Sequence, residues 1–282
     1  MNSQNFPALD AGVIGPTRDA LHAYAQVLGS WLEACRPRRK HWWHISLRPT
    51  VRGLTTGLVR AGGIDFELEL DLHRGALRGQ VAGGGELLVP LQGQPAAELA
   101  AAVREFLLAA GIPADIVPAS PEAGDATSNY SADVAATIGR AWAAVAVTLA
   151  GLRASIPEET SPIQVWPHHF DLAMVWLPGE KIPGEDPADE GHSDKQMNFG
   201  FTLGDPVIPE PYFYVTAYPL PPAFQRLELP AGTTWQTEGF SGAVLRYSHL
   251  ANEAQPESYL LGLWQGLVAA GRDHLLDRPA AT

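Results

Sequence analysis

Residues 64–91 of the sequence, IDFELELDLHRGALRGQVAGGGELLVPL, indicate the class of fold. Ile64–Leu72 alternates apolar and polar residues without a break, and this period of two is typical of a strand with one buried face. Ala76–Val81 and Glu86–Leu91 follow as two further strands across short breaks that contain glycine. Gly83-Gly84-Gly85 favours a hairpin turn, because glycine adopts positive φ angles without strain. We therefore predict antiparallel strands joined by hairpins.

Further strands are predicted on both sides of this segment, where β-branched and aromatic residues alternate with polar ones. The first covers residues 41–56, ahead of the hairpins. The other predicted strands are 115–118, 163–166, 170–177, 196–203, 212–218 and 243–247.

Helices are predicted where apolar residues recur at steps of three and four. The predicted ranges are 16–35, 95–110, 131–156 and 256–276. The sequence therefore predicts an α+β fold in which long amphipathic helices pack on one side of one or more antiparallel sheets. The order helix, strands, helix occurs twice, which leaves open a fold built from two similar halves.

The domain organisation predicted from composition is a loose N-terminal segment, residues 1–16, followed by a single α+β domain, residues 17–282. Residues 119–129 are rich in Pro, Gly, Ser and acidic residues and lack periodicity, which is typical of a linker. The alternative organisation is therefore two halves, 17–118 and 130–277, joined by this linker.

Charge and cysteine content limit the classes of partner. Lys and Arg number 19 against 31 Asp and Glu, so the net charge is −12 at neutral pH. Such a field repels nucleic acid and anionic membrane surfaces, and neither is an expected partner. The single cysteine, Cys35, fits a reducing compartment, and with neither a signal peptide nor a membrane span expected, the predicted location is the cytoplasm. The acidic, aperiodic segment 178–195 is interpreted as solvated surface or as a lid over a site.

Several segments of the chain carry specific motifs. They are His41-Trp42-Trp43-His44 followed by Arg52-Gly53-Leu54-Thr55-Thr56, residues 161–172 (SPIQVWPHHFDL), Asn198-Phe199-Gly200-Phe201, and residues 210–214 (EPYFY) with Ala217-Tyr218-Pro219. On these motifs the sequence resembles an uncharacterised, mainly bacterial family known as domain of unknown function 5996, over about residues 21–274. The resemblance implies a soluble bacterial protein. Because the family has no assigned activity, the resemblance implies no catalytic roles.

Polar and aromatic side chains fall on one face of three predicted strands, because alternate residues of a strand point to opposite sides. These residues are Trp42, His44, Arg48, Thr50 and Arg52 on the first strand, Gln196 and Asn198 on the second, and Glu210, Tyr212 and Tyr214 on the third. We interpret the three faces in two ways. They form either one ligand pocket, in which Arg48 and Arg52 hold a carboxylate or phosphate, or the solvated face of an antiparallel sheet.

His168, His169 and Asp171 offer two kinds of chemistry. A carboxylate orients one ring nitrogen of a histidine, so His44, His168 or His169 is a candidate catalytic acid or base with Asp171 as its partner. His169 and Asp171 are also predicted to share a strand face, and imidazole and carboxylate are ligands of Zn²⁺ and Fe²⁺. A metal site needs a third ligand from elsewhere in the fold, so no metal ligand is assigned.

The first functional hypothesis is a soluble protein that binds a small polar or anionic molecule in a His-, Arg-, Tyr- and Trp-lined pocket, with metal-independent acid–base catalysis left open. The second is a non-catalytic protein whose aromatic sheet face meets a partner or a second copy of the chain. The third is an enzyme that uses a metal held by His and Asp. The sequence carries no dinucleotide or nucleoside triphosphate motif. It assigns neither a cofactor nor an oligomeric state.

Overall fold

A computed structural model of the protein describes residues 6–119 and 129–276. The described chain contains α-helices and two antiparallel sheets, which confirms the predicted α+β class. It divides into two compact units. The N-terminal unit holds the described residues of Leu9–Ala143 together with Gln164–Asp171, and the C-terminal unit holds those of Met1–Ala8, Ala144–Ile163 and Leu172–Thr282.

The N-terminal unit is built on an antiparallel sheet in the order β1-β2-β4-β5-β6, with β3 paired to β4. The predicted hairpins of residues 64–91 are confirmed as β4, β5 and β6. The elements are α1 (Ala11–Cys35), β1 (Arg48–Pro49), β2 (Gly53–Thr55), β3 (Val59–Ala61), β4 (Ile64–Asp71), β5 (Ala76–Val81), β6 (Glu86–Pro90) and α2 (Ala96–Ala109).

Helices α1 and α2 cover one face of this sheet. They pack against each other, α1 contacts β3 and β4, and α2 contacts β6. On β4, Phe66, Leu68 and Leu70 are fully buried in the core. Trp31 of α1 meets the Phe66 ring edge-on, with 6.2 Å between the ring centroids. Each buried side chain of this size contributes about 1.5–3 kcal/mol relative to an exposed one.

The remaining elements begin with α3 (Ala132–Ala154), within which the division between the units falls. Strand β8 (Gln164–Trp166) belongs to the N-terminal unit. The sheet of the C-terminal unit runs in the order β12-β13-β11-β10-β9-β7. The other elements are β7 (Glu159–Thr160), β9 (Asp171–Leu177), β10 (Gln196–Thr202), β11 (Tyr212–Tyr218), β12 (Thr233–Gln236), β13 (Gly242–Arg246), α4 (Tyr247–Ala251) and α5 (Pro256–His274).

The core of the C-terminal unit is aromatic. Phe213 of β11 lies 5.0 Å from Phe201 of β10 and 6.1 Å from Trp264 of α5, measured between ring centroids. All three side chains are buried. Helix α5 therefore covers the face of the sheet that carries Phe213, as the alternation along 212–218 predicts.

Three predictions about elements are wrong. The strand predicted over 41–56 is replaced by a 3-10 turn at Lys40–Trp42 and a further turn, so paired strands appear there only as the short β1 and β2. Residues 115–118 form turns and bends instead of a strand. Helix α1 begins at Ala11 with Asp10 as its N-cap, so residues 11–16 are helical and do not form a loose segment. Of the predicted linker, residues 120–128 lie outside the described residues, as do residues 1–5.

Helix α3 is long and apolar enough to cross a membrane by length and composition. The same helix carries a stripe that is buried within the protein and includes Ile138, Trp142, Val145, Leu149 and Leu152. A core helix of this kind passes the same length and composition test, so the apolar character of α3 is explained by packing.

We expect the buried face of β4 to dominate the stability of the N-terminal sheet. Leu70→Ala removes a fully buried side chain and should lower the free energy of unfolding by about 2–5 kcal/mol. The matched control is Leu88→Ala on β6, where the side chain is 69% exposed and the expected change is within about 0.5 kcal/mol. Urea unfolding followed by circular dichroism measures both. Equal effects of the two substitutions would contradict this assignment of the core.

Candidate functional site

Residues 164–170 join the N-terminal unit through a short antiparallel bridge. Leu47 and Val165 exchange two backbone hydrogen bonds of 2.9 Å each. Beside this bridge, the Ser46 hydroxyl donates to the side-chain carbonyl of Gln164 at 2.5 Å, and Arg48 donates to the same oxygen. The bridge therefore fixes the segment that contains His168 and His169 next to the segment that contains Trp42 and His44.

Left-handed backbone marks both segments. His41 has φ 52°, Trp42 has φ 56° and Phe170 has φ 57°. A left-handed backbone conformation costs about 1–3 kcal/mol for a residue with a bulky side chain. Backbone strain of this kind clusters at functional sites. The indole N–H of Trp166 donates to the His41 carbonyl at 3.0 Å, and this bond helps to hold the strained turn.

Phe170 is held by aromatic contacts. Its ring meets Trp142 edge-on at 4.9 Å and stacks on His22 at 5.1 Å, measured between ring centroids. The Phe170 side chain is buried. The turn at residues 167–170 is therefore fixed at its far end by the packing of Phe170 against α1 and α3.

A partly open cleft of about 530 Å³ lies between these two segments and α1. Its volume is in the usual range of small-molecule sites, about 300–1,000 Å³. Gly29, Ile45 and Pro167 form a buried apolar floor. The other lining residues are Gln26, Ser30, Glu33, Trp42, His168 and His169.

Gly29 allows α1 to approach the turn closely. A Cβ atom at this position would lie 2.7 Å from Cγ and 2.8 Å from Cβ of Pro167. Contacts of that length do not occur between carbon atoms that are not bonded, so any larger residue at position 29 must displace the turn. The floor of the cleft therefore depends on glycine at this position of the helix.

Trp42 is the largest exposed group of the cleft, with 43% of its surface accessible. His44 stacks on the indole at 5.6 Å between centroids, and His168 meets it edge-on at 6.4 Å. The Arg38 guanidinium lies over the indole at 5.4 Å. An exposed indole fixed by rings on its flanks is suited to contact a ligand with little loss of side-chain entropy.

The imidazole rings around the cleft affect one another. Partial desolvation by the surrounding protein lowers the pKa of His168 although the ring is exposed at the rim, and the neighbouring His169 and His22 rings lower it further. Burial also lowers the pKa of His22, against hydrogen bonds to the backbone of Pro167 and His168 that act in the opposite direction. His168 and His169 lie 4.6 Å apart between ring centroids. His168 is therefore neutral at neutral pH.

The structure separates the predicted catalytic residues. His168 and His169 line the cleft, whereas buried His44 lies behind Trp42 and accepts a hydrogen bond from the Arg39 backbone N–H at Nδ1, at 3.3 Å. Asp171 starts β9 and does not line the cleft. His169 lies in the turn before that strand, so the prediction that His169 and Asp171 share a strand face is wrong.

The predicted ligand-binding residues Arg48, Thr50 and Arg52 lie outside the cleft lining. The Arg52 guanidinium donates to Glu69 at 2.9 Å, and the Thr50 hydroxyl lies 3.4 Å from the same carboxylate. Arg48 is bonded to Gln164, as described above. Both guanidinium groups are thus engaged by side chains of the protein, and the expected clamp for a carboxylate or phosphate does not form in this arrangement.

The remaining predicted ligand-binding residues lie in the C-terminal unit. Tyr212 is buried with Ile208 and Val244, against Tyr214 and Phe240, and its hydroxyl donates to Asp205 at 2.5 Å. This face of β11 is therefore a second small core. Gln196 donates to the Gly191 carbonyl at 3.0 Å, Glu210 lies 3.3 Å from Arg246, and Asn198 is aligned opposite Thr216 in the sheet.

The acidic segment 178–195 is closed at its base in the C-terminal unit. Lys181 and Asp194 form a β-bridge and an ion pair of 2.6 Å. Next to them, buried Lys195 donates to Glu180 at 2.8 Å. Two adjacent ion pairs thus fix the start and the end of the segment.

Sequence reasoning missed the contribution of α1 to the cleft. Gln26, Ser30 and Glu33 are spaced by four and three residues, which places them on one side of the helix. The helix was interpreted only through its buried apolar stripe. Gly29 inside a helical pattern was the available signal, since a glycine there has a helix-propensity cost and often marks a close contact.

Within the described residues, no group of three or more His, Cys, Asp or Glu side chains is arranged to hold a metal ion. His168 and His169 lie together, but no third ligand joins them in that part of the chain. The ligand set that the metal hypothesis requires is therefore not brought together.

The fold and the cleft define an α+β protein of two antiparallel sheets with an open histidine- and tryptophan-lined cleft in its N-terminal unit. The chain belongs to the family described as Family of unknown function (DUF5996), whose model matches residues 6–275. This match confirms the resemblance seen in the motifs. No curated protein and no solved structure matches the sequence.

We expect Gly29→Ala to deform the cleft, because the added methyl group overlaps the Pro167 ring. The substitution should lower the free energy of unfolding by about 1–3 kcal/mol and shift the imidazole NMR resonances of His168 and His169. The matched control is Gly15→Ala on the same helix, where no atom lies within 4 Å of the added Cβ. That control should be neutral or stabilising by up to about 1 kcal/mol. A stable Gly29→Ala variant with unchanged resonances would contradict the close approach.

We expect His168 to titrate below the ordinary histidine pKa of about 6.5. Between the two pKa values the unfolded chain binds more protons at this position than the folded chain, so His168 makes the free energy of unfolding fall as the pH drops through that interval. Imidazole NMR titration measures the midpoint. His169→Asn removes a neighbouring ring that lowers the pKa of His168, and the midpoint should therefore rise. A midpoint above the ordinary value, or a decrease in His169→Asn, would argue against burial and ring proximity as the causes.

Proposed function

We propose that the protein binds a small polar molecule in the cleft between α1, the turn at residues 40–45 and the turn at residues 167–170. The observation that carries the proposal is the combination of a cavity of small-molecule size with left-handed, bulky residues in the two turns beside it, of which Trp42 lines the cavity itself. Strained backbone persists only where surrounding contacts hold it, and here those contacts present Trp42 and His168 to the cleft.

The rim of the cleft carries polar side chains whose hydrogen-bonding groups are available to a ligand. Among the described residues, no hydrogen bond to a protein group involves the side chains of Glu33, His168 or His169. In the free protein these exposed groups bond to water. A ligand that replaces this water gains directional contacts above an apolar floor, which is the usual composition of a small-molecule site.

Acid–base chemistry by His168 is the catalytic function that the cleft supports. A neutral imidazole accepts a proton, and the lowered pKa of His168 keeps the ring neutral at neutral pH. The role needs no metal ion. Asp171, which the sequence suggested as the orienting carboxylate, does not line the cleft, and His169 at 4.6 Å is the closest ring partner on the same turn.

A small-molecule ligand also agrees with the composition of the chain. The net charge of −12 disfavours nucleic acid and anionic membranes as partners. Cys35 is a free thiol, as expected in the cytoplasm of a bacterial cell, where we place the protein. The alternative function as an interaction protein needs exposed faces of Trp and Tyr side chains, and of these Tyr212 is buried, with 3% of its surface exposed.

The proposal is tested by ligand-observed NMR with a set of small polar amines, alcohols, amides and carboxylates. Binders are then measured against Trp42→Ala and His168→Ala. Loss of the indole contact or of the imidazole hydrogen bond should weaken binding about tenfold in each variant, because each contact contributes on the order of 1–1.5 kcal/mol.

The control variant is His192→Ala in the C-terminal unit, where the ring pairs with Asp189 at 2.9 Å. It should bind the same compounds with unchanged affinity. If no compound binds, or if the binders are indifferent to both Trp42→Ala and His168→Ala, the cleft is not a ligand site.

A further inference from the structure

We propose that the ligand of the cleft carries a protonated amine, which the Glu33 carboxylate receives. This inference rests on the proposed function and names the class of molecule that the same site takes. It departs from the anionic ligand that Arg48 and Arg52 suggested in the sequence, because neither arginine lines the cleft.

The charge of the lining supports this class of ligand. Glu33 is the one acidic side chain among the cleft-lining residues, and this lining contains no Lys or Arg. The lining is therefore negative. Opposite charges attract across a cleft with apolar walls more strongly than in bulk water, so a cation is favoured over an anion of the same size.

The hydrogen-bonding groups of α1 agree with this charge. Gln26, Ser30 and Glu33 lie on one side of the helix and each presents an oxygen. An ammonium group has three donor hydrogens and no acceptor, so it pairs with a carboxylate and with a hydroxyl or amide oxygen. Glu33 lacks an ion-pair partner among the described residues and retains its full capacity to accept.

Arg38 is a cation that contacts a residue of the cleft lining. Its guanidinium lies over the Trp42 ring at 5.4 Å and makes a further contact with the protein, and the residue is outside the cleft lining. Arg38 therefore neutralises part of the long-range field of Glu33 without being part of the cleft lining. The indole edge and the apolar floor formed by Ile45 and Pro167 are suited to a flat apolar body attached to the amine.

The test compares three probes of similar size and different charge, namely benzylamine, benzyl alcohol and benzoate. Imidazole NMR resonances of His168 and His169 report binding in the cleft, and titration gives the dissociation constants. In the wild-type protein benzylamine should bind about three- to fivefold more tightly than benzyl alcohol, as expected for a partly exposed ion pair, and benzoate should bind most weakly.

Glu33→Gln should remove the preference for benzylamine and leave the affinity for benzyl alcohol unchanged. The matched control is Glu105→Gln, which makes the same change in net charge at an exposed position of α2 outside the cleft lining. It should leave all three dissociation constants unchanged.

The outcomes separate this inference from the proposed function. Tightest binding by benzoate or benzyl alcohol, with His168 and His169 resonances shifted, would overturn the amine class while the cleft remained a ligand site. A preference for benzylamine that survives Glu33→Gln, or no binding by any of the three probes, would also overturn it. The proposed function itself fails only if no compound of the wider set binds, or if the binders are indifferent to both the Trp42 and the His168 variants.

Discussion

The two hydrogen bonds between Leu47 and Val165 are the constraint on which the candidate site depends. They join parts of the chain that are 118 residues apart, and both residues are fully buried. Once this bridge is made, Gln164 meets Ser46, Trp166 meets the His41 carbonyl and Pro167 meets Gly29. Each of these contacts places a wall of the cleft. The site is therefore a product of one long-range pairing with several local consequences.

The bridge also explains how the strained residues are maintained. Left-handed backbone at His41 and Trp42 has a free-energy cost that local sequence does not offset, since neither residue is glycine. The indole hydrogen bond from Trp166 contributes on the order of 1 kcal/mol against that cost, and stacking between Trp42 and His44 contributes a similar amount. Because the Trp166 hydrogen bond needs the two segments together, the conformation of the turn that carries Trp42 is coupled to the position of the turn that carries His168.

The sequence predicted the strands correctly where a regular alternation of apolar and polar residues determines the element. Residues 64–72 and 212–218 alternate along a regular sheet, and β4 and β11 match them to within one residue. The same reasoning failed at residues 41–47, where aromatic and polar residues alternate because successive side chains have separate partners. Trp42 meets His44 and His168, whereas Trp43 lies under the Lys40 ammonium at 5.2 Å. Alternation without a neighbouring strand does not define a sheet face.

The candidate site was accessible from the sequence only in part. The clustered histidines and Trp42 were visible as motifs in the sequence. Their common location follows from the pairing of Leu47 with Val165, which no repeat in the sequence indicates. The bounds of the two compact units were not readable from the sequence for the same reason, because residues 164–171 belong to the N-terminal unit although they follow α3 in the chain. The α1 residues of the cleft were missed because a polar stripe on a helix is ordinarily solvated surface.

The arrangement of the cleft also bears on the affinity that it can reach. Its floor, formed by Gly29, Ile45 and Pro167, is buried and close-packed, so binding does not require the floor to rearrange. The rim groups are exposed and hydrated, and they include Glu33 and His168. A ligand therefore loses little free energy to reorganisation of the protein, and the main opposing term is the removal of water from the carboxylate. The interaction with a ligand that carries a full positive charge offsets this cost most completely, and for this reason electrostatics, more than shape, should determine which small molecules the cleft selects.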